Sequence, residues 1–154
     1  MSDRDTVLRV AASQVNVTEC PPNSNAGLKV EEYLSSVGLA KGNPWCAAFV
    51  YWVGRFALGA KWPLPKTGGC ATLGDHATAH GLMALKPQAG DVFLIYFPSL
   101  KRFAHTGFVV SVEGTTCTTI EGNTSGAGSR EGWGVFQRTR TLGTKDRVIR
   151  WTVG

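Results

Sequence analysis

Nowhere in the 154 residues is there an uncharged apolar run of about 18 residues, the length a membrane-spanning helix needs. The opening Met1-Ser2-Asp3-Arg4-Asp5 also lacks the basic segment followed by an apolar one that marks a secretory leader. The expectation is a protein made in the cytoplasm without a signal peptide and without stable membrane insertion. No CxxC pair occurs among Cys20, Cys46, Cys70 and Cys117, so a zinc ribbon or a thioredoxin-like motif is unsupported. No Glu follows His76 in the manner of HExxH, and the Gly-rich residues 122–134 lack the Lys and the strand-to-helix setting of a phosphate loop. Internal repeats, linkers and low-complexity segments are missing as well.

What is present describes an ordinary globular chain, with 43% hydrophobic and 18% charged residues. Its length fits one domain, residues 1–154, able to bury roughly two-thirds of its unfolded surface without disulfides. The 19 glycines point to many turns and short strands. Lys and Arg outnumber Asp and Glu by 16 to 11, and the resulting +5 charge favours anionic partners: nucleic acid, a membrane surface or an anionic cell wall. Basic residues gather only towards the end (Arg130, Arg138, Arg140, Lys145, Arg147, Arg150). No nucleic-acid-binding signature accompanies them, so they read as a solvated basic face and no nucleic acid partner is expected. Without a leader, reduced thiols are the default, while a Cys20–Cys70 or Cys70–Cys117 bridge stays open for a protein that ends up outside the cytoplasm.

Apolar spacing predicts a helix over 26–37, after the breaker Pro21-Pro22-Asn23-Ser24-Asn25, and a second over 44–58. The second is apolar around most of its circumference, which predicts burial. A short third helix fits 71–80, ended by Gly81. The pattern then changes to strands over 91–97, 104–112 and 115–121, with a turn at Glu113-Gly114, and further strands over 132–140 and 147–153. Helices first and antiparallel strands afterwards define an α+β fold, with helices on one side of a small antiparallel sheet.

Cys46 carries the strongest chemical signal. Asn43 suits an N-cap and Pro44 the first helical position, which puts Cys46 in the first helical turn, where unpaired N–H groups and the helix dipole favour thiolate. The plainer alternative is a small buried packing residue. A thiol nucleophile needs a base, and His105, at the start of the strand His105-Thr106-Gly107-Phe108, could be held rigidly against that helix. Imidazole needs a third group to orient it, and the next strand ends in Glu121-Gly122-Asn123, which offers both Glu121 and Asn123. Two rival constellations exist: a zinc site from Cys70, Asp75, His76 and His80, and Cys70 itself as the nucleophile after Gly68-Gly69.

Four segments in order, Asn43-Pro44-Trp45-Cys46-Ala47-Ala48-Phe49-Val50-Tyr51-Trp52, Pro87-Gln88-Ala89-Gly90-Asp91-Val92, Ala104-His105-Thr106-Gly107-Phe108-Val109 and Thr119-Ile120-Glu121-Gly122-Asn123, resemble the CHAP family of cysteine, histidine-dependent amidohydrolases and peptidases. That family is papain-like and related to NlpC-type hydrolases, and the resemblance covers about residues 20–140. It implies Cys46 as nucleophile, His105 as general base and acid, and Glu121 as the residue orienting His105. Asn123 and Trp45 follow as supporting residues, with the oxyanion held partly by the Cys46 backbone N–H. No cofactor or metal is implied. The implied substrate is peptidoglycan, cut as an N-acetylmuramoyl-L-alanine amidase or as an endopeptidase of the stem peptide or cross-bridge.

A lone domain of this type would suit a phage lysin or an antibacterial effector, working as a monomer on the cell wall or periplasm after release or delivery; an effector would bring a cognate immunity protein as partner. Two other functions compete: a thiol amidase on a non-wall substrate, and a catalytically silent wall-binding module that stacks glycan on Trp45, Trp62 and Trp133. Specificity would lie in loops, for which the candidates are 65–70, 99–102 and 124–133.

Overall fold

The computed structural model describes residues 1–125 and 132–152. In chain order the elements are α1 (Asp3–Ser13), α2 (Leu28–Ser36), α3 (Cys46–Leu58), a short 3-10 turn (Gly59–Lys61), α4 (Cys70–Ala79), β1 (Met83–Ala84), β2 (Val92–Phe97), β3 (Arg102–Glu113), β4 (Thr116–Thr124), β5 (Gly134–Thr141) and β6 (Arg147–Ile149). All pairings are antiparallel, in the order β1-β6-β2-β3-β4-β5. The fold is α+β, as the order of helical and strand patterns implies. Among the described residues no helix is long and apolar enough to cross a membrane.

The central helix is α3, which packs on β3 and β4 while α1 and α2 pack on α3; α4 lies against β3. Aromatic contacts tie the layers together: Tyr33 of α2 meets Phe49 of α3 edge-on at 5.2 Å, and Phe49 meets Phe108 of β3 at 6.3 Å. Each ring, fully buried, contributes about 1.5–3 kcal/mol through burial. The predicted all-round burial of this helix is corrected, because Phe56 is 70% exposed and Arg55 faces solvent. Trp52 stacks on Phe56 at 5.0 Å under the Lys29 ammonium, an amphipathic cover that apolar counting cannot distinguish from core.

Helix α1 carries no strong apolar stripe and was not expected. It starts in a capping box, in which Asp5 N–H donates to Ser2 Oγ and Ser2 N–H donates to the Asp5 carboxylate. The acid is Asp where Glu or Gln is usual, so the signal is faint. Helix α3 begins at Cys46 and not at Pro44, because the Asn43 amide caps nothing: its NH2 donates to Ala40 O at 2.9 Å, and Trp45 takes the N-cap position. The strand foreseen over 147–153 ends at Ile149, where Arg150 N–H donates to Leu82 O and Trp151 Nε1 donates to Gly90 O. Position 153 lies outside the described residues.

Close approach of α3 to β4 depends on Gly122. A Cβ there would stand 2.7 Å from Phe49 Cβ and 2.9 Å from the Trp45 ring. Gly122→Ala is expected to cost about 1–3 kcal/mol by overpacking and to lower Tm by roughly 5 °C. An unchanged thermal unfolding midpoint would show that α3 can shift freely from the sheet.

Candidate active site

Cys46 is the first residue of α3 and is 5% exposed. The first backbone bond of the helix runs from Phe49 N–H to Trp45 O at 2.9 Å, which leaves the N–H groups ahead of it without intrahelical partners. The thiol opens into a cleft lined by Leu39, Asn43, Pro44, Gly68, Gly69, Cys70, Arg102 and Ala104. Of the loops expected to line a groove, 65–70 supplies Gly68, Gly69 and Cys70, and 99–102 supplies Arg102. Positions 126–131 of the third, Arg130 among them, lie outside the described residues. A separate groove at Tyr96, Phe103, Lys145 and Arg147 contains none of the candidate residues.

His105, on β3, is 1% exposed and so is not a solvated strand-end residue. Its Nε2 lies 2.8 Å from Glu121 Oε1 on the neighbouring strand β4. The other ring nitrogen, Nδ1, is buried without a well-aligned hydrogen bond, while Cys46 is its acid–base neighbour. Loose alignment of this kind is common in a resting site before substrate tightens it. Cys46, His105 and Glu121 therefore stand next to one another in that order.

Glu121 is fully buried, and its carboxylate has more partners than the sequence suggested. Thr119 Oγ1 donates to Oε2 at 2.7 Å, Arg140 Nη2 donates to Oε1 at 2.8 Å, and Arg140 Nε donates to Oε2. Arg140 reaches in from β5 with its guanidinium over the Phe93 ring at 5.7 Å. This corrects the solvated basic face expected of it, because its guanidinium pairs with the buried carboxylate. Strand alternation could have placed Thr119 on the face of Glu121, two residues away. Nothing local in the sequence pairs β5 with β4 in the register that sets Cys117 opposite Arg140.

The electrostatics follow from these contacts. The neighbouring Cys70 thiol draws the Cys46 thiol well below the usual cysteine range; burial opposes this, and the His105 imidazole adds to it. Burial disfavours a charge on His105, but its bonds with Cys46 and Glu121 win and raise it from 6.5 to about 9. Burial would likewise push Glu121 up, yet Arg140 and then His105 hold its carboxyl well below the usual carboxylate range. The three directions agree on thiolate, imidazolium and carboxylate.

The remaining candidates fall elsewhere. Trp45 is fully buried, stacks on Tyr33 and donates from Nε1 to Glu19 Oε2 at 2.8 Å. Asn123 sits near the end of β4 with φ 55°, its side chain buried and both amide atoms without a partner among the described residues. Trp62 is buried too, leaving Trp133, 40% exposed, as the accessible member of the proposed stacking surface. His76 and His80 stack on each other with centroids 4.0 Å apart, far from forming a zinc cage: among the described residues no three His, Cys, Asp or Glu side chains could hold a metal. None of the four cysteines is in a disulfide. Cys70, considered for a bridge with Cys20 or Cys117, instead places its sulfur 3.6 Å from that of Cys46.

Residues 38–123, more than half the chain, match the family model of the CHAP domain. Among solved structures, the crystal structure of Ly7917 is similar with a TM-score of 0.55 and 18% identity, covering 96% of this chain and 62% of that one. Ly7917 with the hydrolyzing product of MDP is similar with a TM-score of 0.53 and 18% identity, covering 96% of this chain and 63% of that one. The chain thus spans less than two-thirds of the length of these neighbours. No sequence match is found among curated proteins.

Proposed function

The chain belongs to the CHAP domain family of cysteine, histidine-dependent amidohydrolases, and from that premise we propose that it hydrolyses an amide bond of peptidoglycan through an acyl-enzyme on Cys46. The observation that carries this reading is the 2.8 Å bond between His105 Nε2 and Glu121, which leaves Nδ1 for the thiol. In the proposed cycle the Cys46 thiolate adds to the amide carbonyl, and His105 gives its proton to the departing amine as the C–N bond breaks. A thioester and a neutral imidazole remain. Water then transfers a proton to His105 and its oxygen to the acyl carbon, releasing the carboxylic acid and restoring thiolate and imidazolium. Glu121 holds the imidazole in one tautomer and stabilises its charge. The Cys46 backbone N–H, at the start of α3, is suited to the oxyanion.

A fold neighbour carrying the hydrolyzing product of MDP supports a peptidoglycan-derived substrate. The +5 charge would help the protein engage an anionic envelope, whether as a phage lysin or as a delivered effector. We assign the whole chain to one catalytic domain, with Asn123 in a supporting role. The deciding experiment is mass spectrometry of defined muropeptides after incubation with the protein. A muramyl–alanine cut makes it an amidase and a cut between amino acids an endopeptidase; intact muropeptides would overturn the substrate class.

The rate should follow a bell-shaped pH profile. Activity rises as Cys46 loses its proton; because His105 is raised to about 9, it stays charged below that pH and activity falls as pH climbs through it. A kcat/KM that does not fall as pH is raised from about 8 to 10 would exclude the pair.

A further inference from the structure

We propose that Cys70 is a positioning residue for Cys46, its S–H donating a hydrogen bond to the Cys46 sulfur and holding that sulfur deprotonated and aimed into the cleft. The two sulfurs are 3.6 Å apart, within the range of a thiol hydrogen bond, and both side chains line the same cleft at 5% exposure. The placement is reciprocal: Cys46 is the first residue of α3 and Cys70 the first residue of α4. Two helix starts therefore face one another across the pair, and their dipoles favour negative charge between them. One proton shared between two sulfurs, with one negative charge, is the state this setting stabilises. The other groups acting on Cys46 come from β3: His105 and the Thr106 backbone N–H, both favouring the same charge, while Arg102 lies on the cleft wall. None offers a sulfur-side donor fixed to a helix, as Cys70 does. The chemical direction agrees, since the contact with Cys70 is the largest influence lowering the Cys46 thiol.

The inference rests on Cys46 being the reactive thiol but not on the identity of the substrate, and its test does not use a substrate. Iodoacetamide alkylation of Cys46, located by peptide mass spectrometry under reducing conditions, reports its thiolate fraction at each pH. In Cys70→Ala the midpoint of that curve should rise by about one pH unit, a roughly tenfold loss of thiolate at lower pH, as expected for losing one hydrogen bond to a charged group. Cys70→Ser retains a donor and should recover part of the shift. A merely structural role would change the unfolding midpoint without moving the alkylation curve. Superimposable curves for the three proteins would overturn the proposal, as would equal displacement in the Ala and Ser variants. A shifted curve with uncut muropeptides would leave the proposal standing and remove the peptidoglycan reading instead.

Discussion

Cys46→Ala is expected to reduce kcat/KM on a cleaved muropeptide by roughly four to six orders of magnitude. His105→Ala should do nearly the same, and the double variant little more than either. The reason is that nucleophile and base form one unit: without the thiol there is no acyl-enzyme, and without the imidazole the thiolate has no proton donor for its leaving group. Glu121→Gln should keep the ring in place yet cost on the order of 10⁴, because the amide no longer fixes the tautomer or stabilises imidazolium. Cys46→Ala should remain folded, since it removes one sulfur from a cleft wall. Initial rates on one defined muropeptide, with circular dichroism as the folding control, check the set. If the double variant lost the product of the two single losses, the residues would act independently and the relay would be wrong.

Arg140→Met is expected to damage stability more than any substitution at the thiol. Glu121 is fully buried and ionised, and Arg140 supplies its nearest permanent positive charge through two nitrogens. Removing one member of a buried pair leaves an uncompensated charge, which costs about 3–5 kcal/mol, or roughly 10 °C in Tm for a chain of this length. The double variant Arg140→Met with Glu121→Gln removes both charges and should regain much of that loss, a coupling that a double-mutant cycle measures.

The pH dependence has a definite sign. The folded pKa of Glu121 is depressed, so its contribution is present above the ordinary carboxylate value and is lost as pH falls through the folded one. The gap between wild type and Arg140→Met should therefore be widest near neutrality and narrow in acid. A gap that stayed constant down to about pH 2, well below the ordinary carboxylate value, would mean that Arg140 stabilises by packing on Phe93 and not by charge.

The same pair of strands separates what sequence could reveal from what it could not. Glu121 was readable because it stands in a short motif that follows a hairpin with a strong turn signal, Glu113-Gly114, so its closeness to His105 needs only one two-strand step. Arg140 lies one strand further on, beyond the Gly-rich residues 122–134, which do not fix a turn length, and its alternating pattern leaves the register with β4 open. A shift of one residue would turn its side chain to the opposite face. Cys70 was noticed as a thiol, but its partner depended on where a Gly-rich loop sets the start of α4. The start of α3 was off by two residues because Asn43 bonds the loop behind it, a choice made by backbone geometry that the residue type does not announce.

By itself the sequence determined the α+β order of elements and the family, and it singled out Cys46, His105 and Glu121 as candidates, because these depend on local periodicity and on motifs that keep their order along the chain. Only the tertiary structure decided that the carboxylate is held by Arg140, that two helix starts bring Cys70 against Cys46, and that the tryptophans flanking the cleft helix serve the core. Those relations join residues 19 to 26 positions apart through strand register and helix packing, and such long-range choices are made by burial and charge compensation in the folded chain, not by neighbours in sequence.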